Sequence, residues 1–113
     1  MNTVTLSVAS RENVNHRALA AFQGKAQGAN ISFATIDSLW QTLTKKRWEI
    51  LHAMTAQGEM AIREVARRVH RDVKAVHADV HALINAGVIE RTAAGVVFPY
   101  DAVHVDFMLT KAA

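Results

Sequence analysis

Five cations fall between positions 63 and 74: Arg63, Arg67, Arg68, Arg71 and Lys74, against two acids, Glu64 and Asp72. Guanidinium and ammonium groups at this density suit the phosphate oxygens of a polyanion, because neutralising phosphates releases condensed counterions. A second cationic group, Lys45-Lys46-Arg47, lies upstream. His77 and His81 stand four residues apart, one helical turn. Such a pair can donate hydrogen bonds to base edges or chelate a metal ion. No carboxylate–histidine pattern completes a metal site, so no metal is expected. Nothing reads as catalytic either: there is no glycine-rich phosphate loop, no nucleophile elbow and no HExxH. The chain has no cysteine, which excludes a thiolate nucleophile, a disulfide framework and a thiolate metal site. The expectation is a non-enzyme without a cofactor.

The elements that must hold these residues are legible from hydrophobic period. Thr44 is placed to cap a helix from Lys45 to about Ala56, with Trp48, Ile50, Leu51 and Met54 as its apolar stripe and Gly58 as its stop. Three cations in a first turn oppose the helix macrodipole. Either they face phosphates, or the preceding helix runs through Thr44 and no N-terminus exists there. A short helix, about Ala61 to Val69, carries Ile62, Val65, Ala66 and Val69 at i, i+3, i+4, i+7. His70-Arg71-Asp72 interrupts it, and Asp72 is a good N-cap for a third helix, Val73 to about Ala86. There Val73, Val76, Val80, Leu83 and Ile84 form the buried stripe. Lys74, Ala78, His81 and Asn85 fall opposite, with His77 at the edge, and Gly87 ends the helix. Val88-Ile89 and Val96 to Phe98 then flank residues 91–95 as a hairpin with a loose turn.

The ends read differently. Thr3 to Val8 alternates in period two, a half-buried strand, and Ala102 to Leu109 alternates again. Val14 to Phe22 has helical character behind a possible Ser10 cap. Residues 24–30 read as a loop, and Ile31 and Phe33 suggest a second short strand. Ile36, Leu39, Trp40 and Leu43 follow at helical spacing, and Trp40 and Trp48 read as core. The fold class expected is α+β: a winged helix-turn-helix with additional N- and C-terminal strands. Its parts are a strand-helix arm over 1–30 that serves dimerisation, a DNA-binding domain over 31–99, and a C-terminal strand and tail over 100–113.

With 113 residues, half of them hydrophobic, the chain has the size of one domain and enough apolar surface for a core. No apolar run approaches a membrane span, and MNTVTLSVAS lacks the basic n-region of a signal peptide. The expectation is a cytoplasmic protein with no membrane partner. The net charge of +3 tilts weakly toward polyanions.

The stretch from Ile31 to Leu109 resembles a family of prokaryotic winged helix-turn-helix transcriptional regulators, some of them antitoxins encoded beside a small toxin. The matching residues are ISFATIDSLWQTLT, KRWEILHAM, IREVARRVHRDVKAVHADVHALINAGVIER and VVFPYDAVHVDF. The resemblance implies that Arg71-Asp72-Val73-Lys74 enters a recognition helix and that Ile89 to Phe98 forms the wing. One departure is Ala61, where such proteins often carry a Ser or Thr cap. The function expected is a sequence-specific DNA-binding regulator, a dimeric repressor that autoregulates its operon. The alternative is an antitoxin that neutralises a cognate toxin by binding it. Arg71, Lys74, His77 and His81 would touch base edges or nearby phosphates. Arg63, Arg67, Arg68 and Lys45, Lys46 and Arg47 would bind the backbone, and Arg91 and Thr92 the flanking groove. The partners are then duplex DNA, a second copy of the chain and, in the antitoxin alternative, a cognate toxin. The end strands would pair with each other or across a two-fold axis.

Overall fold

A computed structural model of the protein describes residues 2–8 and 29–108. The Ser10 cap, the Val14–Phe22 helix, the first part of the loop before Ala29, and Leu109 lie outside the described residues. Among the described residues nine elements follow in order: β1 (Thr3–Val8), β2 (Ala29–Phe33), α1 (Ile36–Thr42), α2 (Lys45–Met54), α3 (Ile62–Val69), α4 (Val73–Asn85), β3 (Glu90–Thr92), β4 (Gly95–Val97) and β5 (Ala102–Asp106). The fold is α+β, with four helices and two small sheets among the described residues.

The end strands pair with each other inside the chain. β1 is the middle strand of a three-stranded sheet, parallel to β2 on one side and to β5 on the other. Val4 and Leu6 point into the core and are fully buried. Their register partners are Ala29 and Ile31 on β2, and Val103 and Val105 on β5. Period two therefore gives the sheet one apolar face and one polar face, where Ser7 and Ser32 both donate to Asn30 Oδ1. β5 is clasped to the start of β1: Asp101 N–H donates to the Asn2 carbonyl at 2.7 Å and Asn2 N–H to Asp101 Oδ2 at 2.9 Å.

α1 and α2 start where side-chain oxygens take up orphan amides. Thr35 Oγ1 accepts from Ser38 N–H at 2.9 Å, and Thr44 Oγ1 from Arg47 N–H at 3.3 Å. Of the two readings of Lys45-Lys46-Arg47, the one without an N-terminus at Thr44 is therefore excluded. α2 ends at Met54, before Ala56 and Gly58 take positive φ. α3 packs against α4, and α2 against both. The buried side chains Ile50, Leu51, Met54, Val65, Val76, Val80 and Leu83 form the helical part of one core with Leu39, Leu43, Val88, Ile89, Val96 and Phe98.

β3 and β4 pair as an antiparallel hairpin, and Met60, just before α3, bridges to Val96 through reciprocal 2.9 Å hydrogen bonds. This close approach requires a glycine at position 95. Its φ is +148°, and a Cβ there would collide with the Met60 carbonyl and Ala61.

Candidate nucleic-acid interface

The turn between α3 and α4 is three residues long. α3 stops because His70 adopts the left-handed conformation, φ 57°, which lets Arg71 N–H reach back to the Ala66 carbonyl at 3.1 Å. α4 starts because Asp72 Oδ2 accepts from Ala75 N–H at 3.2 Å. Ala61, at the other end of α3, makes no side-chain cap bond.

Along α4, Val76, Val80 and Leu83 are buried, while Val73, Lys74, Ala75, His77 and Ala78 are exposed. Val73, expected in the buried stripe, is 45% exposed. As the first helical residue it lies over the turn, beyond the reach of the elements packed on the stripe. The two histidines also exchange places relative to the expectation: His77 is exposed and His81 half-buried. Their rings lie 4.3 Å apart, and among the described residues no third His, Asp or Glu joins them as a potential ligand.

The cations divide into three groups. Arg47 and Arg71 turn inward onto one carboxylate. Arg47 Nε donates to Asp79 Oδ1 at 3.1 Å, and Arg71 Nη2 lies 2.9 Å from Asp79 Oδ2. Arg47 also donates to the Thr42 carbonyl at 3.0 Å, at the C-terminal end of α1 where a cation is favoured. Arg71 Nη1 is buried with no partner of its own. Burial alone would push the Asp79 carboxyl up. The hydrogen bonds from Arg47 and Arg71, together with their charges, outweigh that and hold it below its ordinary value. Arg71 was expected beside Lys74 on the outward face. Its guanidinium instead joins α2, the turn and α4 from within, because a carboxylate on the flank of a buried stripe must be paired.

Arg67 and Arg68 form the second group and share Glu64. Arg67 donates to both Glu64 oxygens at 2.7 and 2.6 Å, and Arg68 Nε to Oε2 at 2.8 Å. Arg68 Nη1 also reaches Gln57 Oε1 at 3.0 Å. Hydrogen bonds from Arg67 and then Arg68 lower the Glu64 carboxyl to about 2. The pair raises Arg67 in turn.

Lys45, Lys46, Arg63, Lys74 and Arg91 form the third group. All five are exposed, and none makes a salt bridge to a described residue. Arg63, Arg67 and Arg71 line one groove of about 450 Å³ between α3 and the start of α4, together with Glu64 and Val73. On the hairpin, Thr92 Oγ1 accepts from Gly95 N–H at 3.1 Å, so this hydroxyl closes the turn while Arg91 remains outside. Asp79 was not among the residues singled out from the sequence. Its signal was available: an acid immediately before Val80, at the border of an apolar stripe.

The described residues thus define a small α+β protein in which α4 presents a narrow exposed face that carries Lys74, with Arg63 in the groove beside its start. The family described as HVO_A0114 matches residues 42–105, more than half of the chain, and the chain belongs to that family. No curated protein and no solved structure matches it. No helix among the described residues is long and apolar enough to cross a membrane.

Proposed function

We propose that the chain is a cytoplasmic winged helix-turn-helix regulator that binds duplex DNA as a homodimer and represses its own operon. The observation that carries this reading is the face of α4. Its inner stripe is buried, while Lys74, Ala75, His77 and Ala78 stand outward on the first turns after a three-residue connection. In a helix-turn-helix the N-terminal residues of the second helix meet base edges. Small Ala75 and Ala78 allow close approach to a groove floor. Lys74 and His77 supply the donors, and the positive end of the helix dipole faces the same way.

The other residues take roles around that helix. Lys45, Lys46 and Arg63 reach the phosphates on either side of the groove. The β3–β4 hairpin is the wing, with Arg91 its phosphate or minor-groove contact. Arg47 and Arg71 are positioning residues, which fix α4 through Asp79 and leave phosphate contact to their exposed neighbours. Arg67 and Arg68 sit on the rim with half their charge cancelled by Glu64.

The test is binding to a pool of random duplexes, followed by anisotropy on the selected site. Lys74→Ala with His77→Ala should weaken binding to that site on the order of 10- to 100-fold. Lys74→Ala alone should lower the slope of log K against log salt by about 1. Equal affinity of the double variant and the wild type for the selected duplex would refute the assignment of α4.

A further inference from the structure

Among the described residues β5 is an outer strand of the sheet. β5 pairs with β1 on one edge, and among the described residues no strand pairs with its other edge. Four large hydrophobic side chains are exposed among the described residues, and three of them gather here: Trp40 at 47%, Val105 at 38% and Met108 at 80%. Trp40 meets Phe107 edge-on, with ring centroids 5.8 Å apart. An outer strand is normally blunted by lysine or proline, yet neither occurs between 102 and 107.

We propose that a second copy of the chain adds to this edge, β5 against β5, antiparallel, with the two-fold axis passing through Val105. The strand is self-complementary in that register alone. Pairing about Val105 sets Val103 opposite the partner's Phe107 and His104 opposite the partner's Asp106, and the two-fold repeats each pair. Moving the axis to His104 places Asp106 against Ala102 and loses the His–Asp pairs. Moving it to Asp106 sets two like charges against each other. An axis between two residues puts apolar side chains opposite charged ones. In the register about Val105, the apolar row continues across the axis on the face that carries Val4 and Leu6, their partners in β1. The His–Asp pairs lie on the polar face with Thr5 and Ser7. An isologous contact needs this kind of self-complementarity, residue i to j and j to i. Trp40, Phe107 and Met108 flank the new junction from both copies. This interface rests on the dimer of the preceding reading and is independent of duplex binding.

A single cysteine tests the register, because the chain has none of its own. About the axis, the two Val105 Cα atoms stand roughly 5 Å apart, within disulfide reach. The two Val103 Cα atoms stand about 13 Å apart, beyond it. Under mild oxidation Val105→Cys should form a covalent dimer at least about tenfold faster than Val103→Cys. Light scattering should find the wild type dimeric and His104→Asp monomeric. The double variant His104→Asp with Asp106→His should be dimeric again, a rescue that a folding defect would not give. A monomeric wild type overturns the proposal, as does a dimer in which the two cysteines cross-link equally fast or a β5 edge that pairs only with a different protein. Anisotropy on the same samples separates the two readings. Duplex binding without the Val105 cross-link removes only the interface, and the cross-link without duplex binding removes only the DNA assignment.

Discussion

Asp79 and Glu64 each bind two arginine side chains, but they draw them from different distances. Asp79 takes Arg47 from α2, 32 residues away, and Arg71 from the turn before its own helix. Glu64 takes Arg67 and Arg68 from its own helix, three and four residues on. The side chains around Asp79 are about one-fifth exposed, whereas Arg67 is 71% exposed. The Asp79 cluster therefore fixes how three elements meet, and with them the direction of α4. The Glu64 cluster fixes little, since local pairs at the surface add little to stability. What it does is cancel positive charge on the exposed side of α3. One carboxylate holds α4 in place, and the other lowers the positive charge on α3.

The largest effect should come from breaking Asp79. Asp79→Asn keeps the shape and removes the charge, leaving two half-buried guanidiniums opposite a neutral amide. The expected loss is about 2 kcal/mol, less than for a fully buried pair because water still reaches the site. The melting midpoint, followed by Trp48 fluorescence, should fall on the order of 10 °C. The dependence on pH gives an independent check. The Asp79 carboxyl titrates lower in the folded chain than in the unfolded one, so its contribution is complete above the ordinary value of 3.8 and is lost as pH falls through the folded value. The stability gap between wild type and Asp79→Asn should therefore be widest near neutrality and close toward strong acid. A gap that stays constant with pH would mean that the carboxylate is not what holds α2 to α4.

A smaller effect should separate the two arginines of that cluster. Arg47 serves Asp79 and the carbonyl of Thr42, whereas among the described residues Arg71 reaches only Asp79 and leaves one buried N–H unpaired. Lysine replaces a planar fork with a single point charge. Arg47→Lys should thus cost more than Arg71→Lys, by about 1 kcal/mol for the lost charge-assisted bond to the carbonyl. Chemical denaturation of the two variants side by side measures the difference, and equal losses would remove Arg47 from the end of α1.

These two clusters also mark how far the sequence could be read. α2, α3 and α4 were legible because Val65 and Ala66, and then Val76, Val80 and Leu83, recur at helical spacing, and Asp72 and Gly87 punctuate them. The alternation of Thr3–Val8 and of Ala102–Asp106 announced strands. It could not say that they lie parallel, side by side, because pairing is chosen by the whole sheet. The cationic turn was legible as composition, but the direction of each side chain was not. Arg71 and Lys74 look alike in the sequence, and only the packing of α2 against α4 brings Asp79 to one of them. Thr92 read as a groove contact for the same reason, since its bond to Gly95 depends on the tight hairpin turn. The Glu64 cluster was closer to the surface of the text: Glu followed by Arg at i+3 and i+4 is a local helical pattern.

The smallest effect should come from that local pattern, and it appears in binding while stability barely moves. Glu64→Gln leaves Arg67 and Arg68 in place on α3 and removes the charge that cancels them. They are then available to phosphates, Arg67 in the groove it lines with Arg63. Affinity for a duplex should rise roughly threefold at moderate salt, the scale of one exposed ion pair. The gain should shrink as salt is added, because exposed charges are screened within a Debye length. The melting midpoint should hardly change, in contrast to Asp79→Asn. If Glu64→Gln instead weakened duplex binding, the carboxylate would be orienting the two arginines toward phosphates, and the division of labour between the two clusters would have to be redrawn.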